Sequence, residues 1–189
     1  MARIKSDEKR NAILAAATEI ISDRGLGAST LSISTAAGIA EGTLFTYFKT
    51  KDELVNALYR EIKLELADAM MSGFPRKASV LHRLRHVWNG YVEWGVKHPL
   101  QQRVLKQIEL RSELTEESKS TGAAPFLEIQ KMAADAIEQR LLRNLPHEFL
   151  GATLNAMAQT TMEFIERDQA RAELYQVSGF EMLWAAIKK

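Results

Sequence analysis

Apolar residues recur every three or four positions along nearly the whole chain, and no segment alternates in the way a strand does. Ile13, Ala16, Ala17, Ile20 and Ile21 form the apolar face of a first helix. Ser6-Asp7-Glu8 reads as its cap and acidic first turn, and Gly25 and Gly27 as its end. Leu31 to Ala37 predicts a short second helix, started by Ser29 or Thr30 and broken by Gly38; Gly42 to Phe48 predicts a third. Thr50-Lys51-Asp52-Glu53 matches a capping box, in which the Thr hydroxyl and the Glu carboxylate each take up an orphan backbone N–H. The helix it opens carries Leu54, Leu58, Ile62 and Leu66 and stops near Gly73-Phe74-Pro75, the best place for a boundary.

Beyond it, Val80, Leu84, Val87, Trp88, Tyr91 and Gly95 mark a fifth helix. His98-Pro99 restarts the chain, because Pro fits a helix's first turn, and Leu100, Val104 and Ile108 continue. Thr115 to Pro125 reads either as a loop or as the first turns of a long helix kinked at Pro125. Phe126, Ile129, Ala133, Ile137 and Leu141 are helically spaced, a further helix follows Pro146, and a last one ends near Lys188. The expectation is an all-α protein of about nine helices, with residues 1–50 as a three-helix head, 51–75 as a connecting helix and 76–189 as a second helical domain.

Ser29 to Phe48 is the informative stretch. Two short helices joined by a tight glycine-containing turn cross at a steep angle. Ser34 and Ala37 are small enough for close approach, and Gly38 can adopt the left-handed conformation the turn needs. Ile33, Ile39, Leu44 and Phe48 are the apolar pins, which leaves Thr43, Phe45, Thr46 and Tyr47 on the outer side of the third helix. A helix-turn-helix places such a helix in the major groove, where it reads base edges. The bland reading is a helix-turn-helix that is only structural.

Composition narrows the field. With 46% hydrophobic and 26% charged residues, wholesale disorder is excluded. The absence of cysteine excludes disulfides, zinc fingers, iron–sulfur clusters and thiol catalysis. The charged amino-terminal stretch is unlike a signal peptide, and no apolar run approaches the roughly 20 residues of a membrane helix, so a cytoplasmic protein without membrane contact is expected. The net charge is +1, but Met1–Lys51 holds seven basic residues against five acidic ones, which permits a nucleic-acid contact there. Arg3 and Lys5 read either as an arm reaching DNA or as a solvated tail. His82 and His86 stand at i, i+4 and are able to share a metal, yet no third ligand, phosphate loop or dinucleotide fingerprint accompanies them. Neither enzymatic activity nor a cofactor or metal is therefore expected. The rival functions are an all-helical enzyme and an adaptor that binds only protein.

The run Ala37-Gly38-Ile39, with Gly42-Thr43-Leu44-Phe45-Thr46-Tyr47-Phe48-Lys49-Thr50-Lys51-Asp52-Glu53-Leu54, resembles the tetracycline-repressor (TetR) family of bacterial transcriptional regulators. The resemblance implies phosphate contacts from Thr30, Tyr47 and Lys51, and places Ala40, Glu41, Gly42, Thr43, Phe45 and Thr46 at bases or nearby sugar. Two positions depart from the family pattern. Ala40 stands where many members carry Ser or Thr, which removes a cap or polar contact. Glu41 stands where many carry Lys; an acid there suits a helix start, opposes phosphate, and either accepts from cytosine N4 or excludes wrong sequences.

Phe149 to Met162 contains no charge, as expected of a helix buried on more than one face. Leu150, Leu154, Met157 and Phe164 can face a core. The family likeness implies that this helix and the last one form a four-helix bundle in a homodimer, through Ala152, Asn155, Ala156, Gln159, Thr160, Val177, Phe180 and Trp184; a buried helix in a monomer is the alternative. It also implies an effector cavity, for which Trp88, Tyr91, Trp94, Met132 and Met162 are candidates, although aromatic and Met residues at helical spacing also make plain core. Residues 76–189 would then bind ligand and dimerise, and the protein would be a repressor of a palindromic operator, released by a small molecule.

Overall fold

The computed structural model describes residues 2–111 and 114–189. The α-helices are α1 (Ala2–Arg24), α2 (Thr30–Ala36), α3 (Glu41–Tyr47), α4 (Lys51–Met71), α5 (Val80–Lys97), α6 (Pro99–Arg111), α7 (Glu116–Ala123), α8 (Leu127–Glu138), α9 (His147–Arg167) and α10 (Ala172–Ile187). Ala124–Phe126, which contains Pro125, forms a 3-10 turn that runs directly from α7 into α8. The Thr115–Pro125 ambiguity thus resolves as helix tightened at the proline rather than loop. With α7 and α8 taken as one interrupted helix, the described residues hold the nine helices expected. Among the described residues no strand forms; one isolated antiparallel bridge joins Leu142 to Lys188. No helix among them is long and apolar enough to cross a membrane.

Helix starts differ from expectation in two places. The first helix begins at Ala2, so Ser6 lies inside it and does not cap it. The N-terminal side chains of Arg3 and Lys5 lie outside the described residues. The Thr50 box forms with a shift: Thr50 Oγ1 accepts from Glu53 N at 3.0 Å, while the Glu53 carboxylate accepts from Lys49 N at 2.7 Å, one residue before the donor such a box ordinarily uses.

The chain forms two compact units. The first comprises the residues up to Leu64 together with His98–Gly122. Its core is Ile13, Ala17, Ile21, Ile33, Leu44, Leu54, Leu58, Ile62, Val104 and Ile108, with α1 packed on both α2 and α6. A polar network lies within this unit. Buried Asn56 donates to Asp52 O at 2.9 Å and accepts from Thr115 N at 3.0 Å. Arg60 donates to the Ser118 hydroxyl, which is itself buried. These bonds satisfy polar groups that would otherwise be costly inside.

The second unit comprises Glu65–Lys97 and Ala123–Lys189. Here α5 packs on α9 and α10 around Val87, Trp88, Val92, Met162, Phe180 and Leu183. Three glycines mark close approaches. A Cβ at Gly90 would stand 2.5 Å from Ala69 O, one at Gly95 would collide with Met162 Sδ, and one at Gly179 with Thr161 Oγ1. No side chain fits at any of the three without displacement of its neighbours.

Candidate nucleic-acid interface

The first unit holds the residues read as DNA contacts. Ser29, not Thr30, caps α2: its hydroxyl accepts from Ser32 N at 3.1 Å. The turn after α2 closes through Ala37 N to Ile33 O and Ile39 N to Ser34 O, with Gly38 at φ +69°, the left-handed conformation the sequence predicts. Ala40 then precedes α3 and offers no side-chain cap, as its methyl dictates.

On α3, Leu44 is fully buried and Phe48, just past its end, is 3% exposed. Arg10 lies over the Phe48 ring at 5.9 Å and also pairs with Glu61. These inward pins fix the rotation of a helix too short to hold itself. The opposite side presents Gly42, Phe45 and Thr46 to solvent, with Thr43 and Tyr47 half-buried at its margins. Phe45, a large apolar ring 37% exposed on a seven-residue helix, is available for contact with a thymine methyl.

Two site residues are engaged within the protein itself. Thr30 Oγ1 donates to Glu41 Oε1 at 2.6 Å, which ties the start of α2 to the start of α3. Lys51 Nζ donates to Leu26 O, using one of its three N–H groups and leaving two for another acceptor. The Thr30–Glu41 bond has no signal in the sequence, because an i, i+11 pair across a turn follows no helical or strand period. Sequence reasoning also passes over Leu31, 59% exposed beside Thr30 on α2. Its spacing marks it as helical but does not say which side it occupies.

In the second unit, Trp88, Tyr91, Trp94, Met132 and Met162 are all buried. Trp88 Nε1 donates to Gln176 O at 2.9 Å, the Tyr91 hydroxyl donates to Asn155 Oδ1, and Met162 Sδ lies against Gly95. The structure brings the α5 aromatics and Met162 together as packed core. Neither of two surface recesses in this unit, one near the start of α5 and one between α9 and α10, is lined by any of the five.

Of the residues assigned to a subunit interface, Ala152, Ala156, Thr160 and Val177 are exposed along α9 and α10, while Asn155, Gln159 and Trp184 are half-buried. Phe180 is a correction. It is 2% exposed, with its ring tilted against Trp88 at 6.3 Å between centroids, and so belongs to the core of this unit. Met182, 60% exposed, takes the outward place on α10. Together with Ala156 and Thr160 it lines a shallow groove of about 210 Å³. Phe149, Phe164 and Leu174 are also exposed on these helices, so a substantial apolar surface faces outward.

The described residues thus form a helix-turn-helix with an outward aromatic helix, carried on an all-α fold. Residues 13–58 match the model of the bacterial regulatory proteins of the tetR family. Over 73 residues the chain is 33% identical to the fatty acid metabolism regulator protein of Bacillus subtilis (strain 168), a match spanning 38% of each protein. Across the whole fold it superimposes on a TetR-family transcription regulator from Shewanella sp. PV-4 with a TM-score of 0.86 at 21% identity, covering 96% of this chain and 98% of that one. It also matches the transcriptional regulator FadR from Bacillus subtilis in complex with stearoyl-CoA, with a TM-score of 0.68 at 20% identity over 91% and 96% of the two chains. Residues 13–58 thus match the tetR-family segment, and the chain as a whole shares the fold of these solved structures.

Proposed function

We propose that the protein is a transcriptional regulator that binds a palindromic operator as a homodimer and leaves it when a small molecule binds. The observation that carries this reading is α3: two buried pins hold it rigid while Gly42, Thr43, Phe45, Thr46 and Tyr47 line its outer side. In this reading Tyr47 and Lys51 hold phosphate, Thr30 steadies Glu41, and Ala40, Glu41, Thr43, Phe45 and Thr46 face bases or sugar. One short helix gives little specificity. Two copies about one DNA turn apart read an inverted repeat, and the exposed small and apolar residues of α9 and α10 are the surface through which two chains would join. Such a protein acts in the cytoplasm and performs no catalysis.

The effector would enter the second unit and favour one arrangement of the paired heads, shifting the population away from DNA. The buried Trp88, Tyr91, Trp94, Met132 and Met162 would have to part to admit it. The matches to a fatty acid metabolism regulator and to a stearoyl-CoA complex make long-chain acyl-CoA the first class to try.

Selection of bound duplexes from random DNA tests the reading. We expect an inverted repeat, salt-sensitive affinity, and weaker binding across all sequences for Tyr47→Ala and Lys51→Ala, the latter lowering the salt slope by about one. Full-length protein that retains no duplex at moderate salt, with or without stearoyl-CoA, would overturn it.

A further inference from the structure

In the second unit a recess of about 530 Å³ opens beside the first turns of α5, well apart in sequence from the DNA-reading helix. Pro75 supplies an apolar edge, and Ser79, His82, Arg85, His86 and Asn89 supply the polar lining. His82, Arg85, His86 and Asn89 recur at i, i+3 and i, i+4 spacing, so one face of α5 brings four nitrogen-bearing side chains to the same hollow. No carboxylate lines it.

The polar side chains are positioned by contacts within the unit. The Ser79 hydroxyl bonds His82 Nδ1 at 2.8 Å, which orients that ring and frees its Nε2. His86 stands edge-on to Phe74 at 5.9 Å, and its Nε2 is buried with no hydrogen-bond partner. His86 contributes its ring to the lining of the recess. Asn89 accepts from Gln176 through Oδ1 at 3.2 Å, leaving its N–H₂. The Arg85 guanidinium lies over the Phe180 ring at 4.7 Å, and no acid pairs with it among the described residues. Arg76, next to Pro75, by contrast pairs with Glu128 through two contacts of 2.8 Å.

We propose that this recess binds a small-molecule oxyanion, a phosphate or carboxylate group, with Arg85 as the fixed charge and His82, His86 and Asn89 as donors. A guanidinium stacked on an aromatic ring keeps its fork of N–H groups free and pre-positioned for such a group. The His82–His86 spacing would also suit a transition metal, but a permanent cation in the lining and the lack of any carboxylate oppose it. No cluster of three or more metal-ligating side chains occurs among the described residues. The proposal does not depend on DNA binding.

The chain has four histidines, so His98 and His147 serve as internal controls. Inorganic phosphate is titrated into the full chain at constant ionic strength, with chloride as the balancing anion, and the ring proton signals are followed. Saturable shifts of His82 and His86 alone are expected. Arg85→Gln should weaken binding at least about tenfold, and Arg85→Lys, which keeps the charge but loses the planar fork, should weaken it by less. Circular dichroism of both variants shows whether the helices are intact. Four signals moving together without saturation, a fully folded Arg85→Gln that binds phosphate as before, or shifts produced by zinc and not by phosphate would each overturn the assignment.

Discussion

Glu41 stands at the head of the helix proposed to face DNA, and its bond to Thr30 changes what it can do. One carboxylate oxygen is taken by the Thr30 hydroxyl, and the other has no partner among the described residues. A fixed carboxylate accepts and never donates, so in a major groove it meets cytosine N4 well and guanine badly. If α3 reads bases as proposed, Glu41→Gln adds donors and should move the preference at one position of each half-site from cytosine toward adenine. Thr30→Val should blur discrimination at that same position by about tenfold, whereas Thr30→Ser should keep it. Affinity selection on random duplexes reads both outcomes; a loss spread evenly over all positions would make Thr30 a phosphate contact only. Tyr59 supports a second residue-scale prediction. Burial first, and Glu109 second, raise its pKa above the ordinary 10.0. The unfolded chain therefore releases that proton at lower pH than the folded one. The stability contributed by the neutral phenol is complete below about pH 10 and is lost as pH climbs through the folded value. Tyr59→Phe should flatten the alkaline fall in unfolding free energy, measured by denaturant titration at pH 9 to 11. An unchanged curve would place the sensitive group elsewhere.

Among the elements, two chain reversals use the same backbone conformation with different residues. Gly38 takes φ +69° between α2 and α3, and Arg140 takes φ +59° after α8. At Arg140 the end of the helix closes by Leu141 N to Ala136 O and Arg140 N to Ile137 O, the paired bonds of a glycine-type C-terminal motif without the glycine. A side chain in that conformation costs about 1–2 kcal/mol, partly offset in the unfolded chain, where glycine is freer. Arg140→Gly should therefore stabilise the protein by about 0.5–1 kcal/mol, and Gly38→Ala should destabilise it by about 1 kcal/mol, since nothing stands within 4 Å to add a clash. Thermal unfolding of the two variants should shift in opposite directions. Gly38 is legible in the sequence because its neighbours on both sides are helical and glycine is the residue such a turn needs. Arg140 is not, because nothing in an arginine announces a left-handed backbone. The helices themselves are legible wherever one face is apolar and the other polar, as along α5. The same logic fails for Phe180: α10 is apolar nearly all round, so its periodicity does not separate the inner side from the outer. The candidate site divides likewise. The inward pins Leu44 and Phe48 follow from the apolar pattern, whereas the bonds made by Thr30 and Lys51 join residues too distant in sequence for any period to link.

For the whole molecule, the proposed dimer rests on the outer sides of α9 and α10. Ala156 is exposed beside the groove that Thr160 and Met182 also line, so a longer charged side chain there leaves the protomer's own core untouched. Ala156→Glu should weaken self-association by about 2 kcal/mol, roughly thirtyfold, with its helical content intact. Sedimentation over a range of concentrations gives the answer, and an unaltered dimer would remove this face from consideration. Gly90, Gly95 and Gly179 impose a limit of another kind. At each of them one helix rests on a neighbouring atom with no clearance for so much as a methyl group. Packing that tight resists the sliding of one helix alone, so a guest molecule of the kind proposed would have to move neighbouring helices together. What the guest does locally would then be felt as a displacement of the stack, and these three bare positions are where its freedom to respond is set.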